Sequence, residues 1–210
     1  MDKKEIRKNK EKEFKIQMIL NAFKRLINQR PWNEITMQDI ADEAGFGKAT
    51  LYFYFNSKED IIIGLMANGM NMHNDFVQKL KEESLNPEQK IRRLASFRLE
   101  FAQRLKEEFG AVELKTMFTW LITSKEGRQY KALQSMLREQ IGKITNFYEA
   151  EFEKMKAQGR YKDIAPRSLA TLYGGSVQSI IGGAHMGLYD ASEAKTMLDD
   201  FNKIWFGEVK

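Results

Sequence analysis

No cysteine occurs among the 210 residues, which excludes disulfides and thiolate metal sites. Histidine is nearly as scarce. With only His73 and His185 available, a metal centre would have to rest on carboxylates, so no metal and no cofactor is expected. There is no close histidine pair and no glycine-rich loop of the kind that cradles phosphate, so the constellations of acid–base or nucleophilic catalysis are missing and an enzyme is not expected. No apolar run approaches the roughly 20 residues of a membrane span, and the opening MDKKEIRKNKEKEFK lacks the apolar centre of a signal peptide. A cytoplasmic protein with no membrane partner is expected. Strand-like alternation is absent from residues 86–210, and the three prolines, Pro31, Pro87 and Pro166, all read as helix boundaries.

What is present is helical periodicity, concentrated first between Thr36 and Asp60. Met37, Ile40, Ala41 and Ala44 recur at helical spacing behind Thr36, which with Asp39 makes a capping box. Gly45-Phe46-Gly47 breaks the pattern. From Lys48 to Tyr54 a second, short helix turns Leu51 and then Phe55 inward, leaving Lys48, Thr50, Tyr52 and Tyr54 on other faces. Two short helices joined by a glycine-containing turn form a helix-turn-helix, whose second helix enters the DNA major groove. Ile16, Ile19, Phe23, Leu26 and Ile27 make an apolar stripe for a preceding helix, ending near Gln29 ahead of Pro31. The basic segment before that stripe could serve as an arm to a neighbouring groove or as a solubilising tail.

Charge follows the same division. Residues 1–58 hold 12 Lys and Arg against 8 Asp and Glu, and the remaining residues hold 22 against 21, so most of the formal +5 lies at the helix-turn-helix end. A basic head on a nearly neutral body is the footprint of a module that neutralises phosphates.

The run from Ile19 to Ile61 resembles the DNA-binding region of the TetR family of bacterial transcriptional regulators: ILNAFKRLI, then Ile35-Thr36-Met37 before IADEAG, then KATLYFYF and the closing SKED. These words cover about a fifth of the chain. Three places depart from the family habit: Pro31-Trp32 for Gly-aromatic, Phe46-Gly47 for Val-Ser, and Ala49 for Gly. Gly47 lacks a hydroxyl for phosphate, and the methyl of Ala49 can exclude a close backbone approach or meet a thymine methyl. The resemblance implies that Thr36, Gly47, Lys48, Ala49, Thr50, Tyr52, Tyr54 and Lys58 lie against DNA. Thr36 sits where helix amides attract phosphate, and Lys48 and Thr50 at the groove-entering end can reach a base edge or a phosphate. In most proteins Tyr52 and Tyr54 would be partly buried core residues with wet tips, but matched to the family pattern they read as phosphate contacts, with Tyr54 at the place often held by His.

Beyond the motif, Ser57 and Asp60 open a helix running to about Glu83, roughly 40 Å at 1.5 Å per residue. Asn86, Pro87 and Gln89 start another, carrying Ile91, Leu94, Phe97, Phe101 and Leu105 to about Glu107. A short apolar helix, VELKTMFTWLI, follows Gly110, and Thr123 with Glu126 caps a long helix to about Gln158. Pro166 opens one to about Gly187, and Asp190 with Glu193 caps the last, to about Phe206. The expected fold is all-α with about nine helices: a helix-turn-helix domain over 1–60 joined by a long helix to a ligand-binding and dimerisation domain over 61–210.

Gly175, Ser179, Gly183 and Gly187 recur every four residues, a bare helix face suited to close packing either within the chain or between two copies. The resemblance implies the second, a homodimer that places two recognition helices about 34 Å apart on a near-palindromic double-stranded operator. It also implies a body pocket for a small, hydrophobic effector. Candidates are His73, Phe101, Met117, Trp120, Tyr148 and Tyr173, each of which could instead be ordinary core. The reading is a ligand-responsive, sequence-specific transcriptional regulator, a repressor released by its effector. An all-helical enzyme and a membrane-surface protein using a basic amphipathic first helix are the other two classes considered.

Overall fold

The structure, a computed structural model, describes residues 2–110, 116–117, 119–120, 123 and 131–207. Among these, eight α-helices occur and no strand. They are α1 (Lys3–Ile27), α2 (Met37–Ala44), α3 (Lys48–Tyr54), α4 (Lys58–Glu82), α5 (Pro87–Phe109), α6 (Lys131–Ala157), α7 (Pro166–Met186) and α8 (Ala191–Phe206), with a 3₁₀ turn at Trp32–Glu34. The short apolar helix expected after Gly110 is described only in part, with Thr116, Met117, Thr119, Trp120 and Thr123 helical. The Glu126 cap lies outside the described residues. The chain forms two compact units, residues 1–69 with 108–118, and residues 70–107 with 119–210.

The head unit is built on α1, whose Ile19, Leu20, Phe23, Leu26 and Ile27 are buried with Ile35, Ile40, Ala41, Leu51, Ile61 and Ile62. Phe55 closes this core against Gly64 of α4, where a Cβ would lie 3.1 Å from the Phe55 ring and 3.3 Å from Leu20. A larger residue there would push the ring out. The end of α5 returns to this unit: Lys24 pairs with the Glu108 carboxylate at 2.8 Å, and Asn28 donates to the Glu108 carbonyl at 2.8 Å.

The N-terminal segment is part of α1 rather than an unstructured arm. Helix begins at Lys3, with Asp2 as N-cap accepting from the Lys4 amide. Straight-chain Lys, Glu and Arg lose little rotamer freedom in a helix, and Glu11 and Lys15 make an i,i+4 pair at 2.8 Å.

In the body unit, apolar faces of α4 to α8 enclose one core that includes Leu80, Leu94, Leu99, Phe152, Tyr173, Val177, Leu198 and Phe206. Tyr173 is its hub, with the rings of Tyr148, Phe201, Trp205 and Phe206 between 5.2 and 5.6 Å away. Its hydroxyl donates to Asn202 at 2.6 Å, which satisfies the one polar atom that this burial would otherwise strand. The helix boundaries read from capping patterns recur here: Asn86 and Gln89 exchange bonds at the start of α5, and Asp190 and Glu193 do so at α8.

Candidate nucleic-acid interface and body site

Thr36 and Asp39 fix the entry to α2. The Asp39 amide donates to the Thr36 hydroxyl at 3.2 Å, and the Thr36 amide and hydroxyl donate to the Asp39 carboxylate at 2.8 and 2.7 Å. These bonds, helped by Arg30, hold the Asp39 carboxyl down at about 2. Gly45 ends α2 in the left-handed conformation, φ 73°, with the amides of Gly45 and Phe46 returned to the last turn. That sharp stop sets the angle at which α3 departs.

On α3, Leu51 is buried and Phe55 follows it into the core, so the opposite face is fixed outward. Gly47, Lys48, Ala49 and Tyr52 are exposed there, while Thr50 and Tyr54 are half-buried. Lys48 lies over the Tyr52 ring at 6.0 Å. Phe53, which the sequence reading passes over, is 78% exposed and meets the Tyr54 ring edge-on at 5.1 Å. Its signal was available: two residues after Leu51 and two before Phe55, it cannot share their inward face. Lys15 of α1 lies close enough to Tyr54 for the two to interact electrostatically, which brings the α1 stripe beside α3.

Lys58 is placed differently from the others. Its ammonium donates to the carbonyls of Trp32, Asn33 and Ile35 at 3.2, 2.9 and 3.1 Å and lies 5.1 Å over the Trp32 ring. Three donors meet three acceptors, tying α4 to the turn that carries Thr36.

In the body, the structure brings His73 and Phe101 together, ring centroids 4.5 Å apart, beside Phe97 and Phe76. Tyr148 and Tyr173 form a second pair, with Tyr148 fully buried and its ring against Gly174. Met117 is buried but belongs to the head unit; Trp120 is half-buried and belongs to the body. A shallow depression of about 360 Å³ lies elsewhere on α6, lined by Gln134, Leu137, Arg138 and Ile141. Sequence reading also passes over Arg98, 8% exposed, which interrupts the apolar stripe of α5 one turn after Leu94 and one before Phe101.

The bare face of α7 divides in two. Gly175 and Ser179 are exposed, and a Cβ on Gly175 would meet nothing within 4 Å. Gly183 is buried beneath Tyr189, and Gly187 is the left-handed C-cap, φ 74°. Those last two are small for reasons inside this chain. Among the described residues no helix is long and apolar enough to cross a membrane, and no three His, Asp or Glu residues could hold a metal ion.

Residues 19–65 match the family described as bacterial regulatory proteins, tetR family. The HTH-type transcriptional regulator EthR of Mycobacterium tuberculosis is 36% identical over 64 residues, 30% of either chain, so the likeness spans under a third of that relative. Among solved structures, a TetR transcription regulator from Haloarcula marismortui superposes with a TM-score of 0.70 at 18% identity, over 92% of this chain and 96% of its own. The transcriptional regulator FadR of Bacillus subtilis, in complex with stearoyl-CoA, does so at 0.60 and 17%, over 92% and 99%. Residues 19–65 thus carry the DNA-binding signature of the tetR family of bacterial regulatory proteins, and the chain as a whole has the fold of solved regulators of that kind.

Proposed function

We propose that the protein is a cytoplasmic, sequence-specific DNA-binding transcriptional regulator, a homodimeric repressor that a small hydrophobic effector releases from a near-palindromic operator. The observation that carries this is the outward face of α3, where Lys48, Ala49, Tyr52 and Phe53 stand exposed on a helix locked from behind by Leu51. Exposed aromatics beside a lysine suit a groove: phenol and ammonium reach phosphates, and an apolar ring or methyl meets thymine. Residues 1–60 form the DNA-binding domain in this reading, with Thr36, Gly47, Thr50 and Tyr54 completing the contact surface. Lys58 acts there chiefly by holding the Thr36 turn in place.

Residues 61–210 form the effector and dimerisation domain. The stearoyl-CoA complex of FadR supports an effector with an apolar chain, and the aromatic group around His73 and Phe101 suits one. Gly175 and Ser179 lie in the dimer face, flanked by exposed Leu172 and Met186. Release requires only that the effector bind the non-operator state more tightly than the operator-bound one. No catalytic step belongs to this function.

Selection of bound duplexes from a random DNA pool tests it. The wild-type protein should enrich an inverted repeat, with affinity falling as salt rises. Lys48→Ala with Tyr52→Phe should weaken that binding at least tenfold. Absence of any enriched sequence would overturn the reading.

A further inference from the structure

Among the described residues, the body holds a cation without a counter-ion. Arg98 of α5 is almost wholly buried, yet among the described residues no carboxylate pairs with it. One guanidinium nitrogen donates to the Gln178 side chain of α7 at 2.6 Å, and the other, Nη1, has no hydrogen-bond partner. Beside it lies Tyr148 of α6, fully buried, its hydroxyl oxygen near enough to the guanidinium to interact with it, while among the described residues no acceptor takes the hydroxyl proton. Burial pushes that phenol up and the neighbouring guanidinium opposes the push, so a neutral hydroxyl able to donate faces the cation's surroundings. Two stranded donors side by side are costly in an apolar core unless something supplies acceptors. The site is not sealed. Gln178 is exposed, and one turn further along α7 a Cβ on Gly182 would meet nothing within 4 Å.

The chemistry on either side of this pair is apolar. Phe101 stands one turn from Arg98 on α5, and its ring leads to Phe97 and His73, both half-buried. We propose that Arg98 and the Tyr148 hydroxyl bind the carboxylate head of an apolar monocarboxylic acid whose chain lies along Phe101, Phe97 and His73. A carboxylate offers two oxygens in the plane that a guanidinium matches, and it is the acceptor set that these two donors lack. This assignment rests on the effector reading above and gives the effector its chemical class. Glu151, one turn from Tyr148, is the competing group: its Oε1 is paired with Lys154, while its buried Oε2 is bare and would favour a cationic head.

The test uses the full-length protein and ligands that differ only at the head: octanoate, decanoate and myristate against the primary alcohols of the same length, decyltrimethylammonium and decanoyl-CoA. Calorimetry reads binding, and release of a fluorescent operator obtained by selection reads the response. At least one acid should bind tenfold or more tightly than its alcohol and release the operator. Arg98→Met should remove that preference, and Tyr148→Phe should reduce it several-fold, both with unliganded operator affinity unchanged. Tyr148→Phe deletes only a hydroxyl that donates to no acceptor among the described residues, so it keeps the test decisive if Arg98→Met fails to fold. Equal binding of acid and alcohol, binding of the ammonium or thioester alone, no binding by any acid, or an acid preference left undiminished by Tyr148→Phe would overturn the assignment. Operator binding without an acid response would sink the assignment and leave the regulator standing. Acid binding without operator binding would do the reverse.

Discussion

Two glycines of α7 that look alike in sequence have opposite roles at the scale of single residues. A Cβ on Gly183 would lie 2.2 Å from the Tyr189 hydroxyl and 2.5 Å from its ring. That hydroxyl donates to the Ile180 carbonyl at 2.8 Å, so the ring cannot swing away without losing a bond. Gly183→Ala should therefore lower stability: overpacking costs about 1–3 kcal/mol, against about 1 kcal/mol of recovered helix propensity. Gly175→Ala meets open space and should raise the stability of the fold by up to about 1 kcal/mol. Urea unfolding of both variants separates the two environments, and equal shifts of the same sign would show that Tyr189 does not pack there. Asp39 offers a second residue-scale check. Its carboxyl is depressed from an ordinary value of 3.8 to about 2 by the Thr36 bonds first and Arg30 second. A depressed carboxylate contributes stability that is complete above its unfolded value and is lost as pH falls through the folded one. The side-chain resonance of Asp39 should accordingly titrate at about 2, with the capping box opening only below about pH 3.8; a midpoint at or above 3.8 would mean that the box does not form in solution.

At the scale of elements, the join between α4 and the 3₁₀ turn depends on one side chain. Replacing Lys58 by Met keeps the stem and removes three donors from three carbonyls, at a cost of about 1–3 kcal/mol. Urea unfolding should register that loss, and operator affinity should fall with it because the Thr36 turn is freed; an unchanged midpoint would reduce Lys58 to a surface cation. The N-terminal half of α1 makes a separate prediction. Lys15 lies near Tyr54, and Lys4 and Lys8 continue its stripe at intervals of four and seven residues toward the helix start. Lys4→Ala with Lys8→Ala should leave helicity intact, since Ala is the best helix former, and should reduce the slope of log affinity against log salt by ~0.9 for each phosphate contact removed. These elements differ in how far sequence revealed them. The capping boxes at Thr36, Asn86 and Asp190 were legible because each needs only two side chains three residues apart. The overhanging start of α1 was not, because its apolar stripe begins only at Ile16 and charged residues carry no inward face. Lys58 as a clamp was also invisible: its acceptors are backbone carbonyls of Trp32, Asn33 and Ile35, and any residue there would have presented them.

In the proposed homodimer, the faces available for pairing follow from which apolar side chains the single chain leaves uncovered. Leu172 is 61% exposed and Met186 62% on α7, and Ile204 of α8 is 83% exposed, while the opposite faces of both helices are buried through Val177, Ile180, Leu198 and Phe206. An amphipathic helix that buries one face and leaves large apolar groups on the other keeps unspent hydrophobic surface, which a second copy can cover. Half of the four-residue repeat that pointed to this face in the sequence has another cause, Tyr189 over Gly183 and the C-cap at Gly187. Of the four-residue repeat, only Gly175 and Ser179 lie exposed within the helix itself. A spacing rule cannot separate a glycine that admits a neighbouring ring from one that admits another helix, since both require only the absence of a Cβ. Ile204→Glu distinguishes them functionally. A charge at a desolvated apolar contact should shift the protein from dimer to monomer in sedimentation at micromolar concentration. Operator affinity should fall much further than any single head contact accounts for, because two linked heads gain from effective concentration and one head alone does not. Binding to a half-site duplex, which one head can occupy, should be unchanged. If Ile204→Glu remains dimeric and binds the full operator normally, the partner covers some other surface, and the exposed side chains of α7 and α8 are free of any role in assembly.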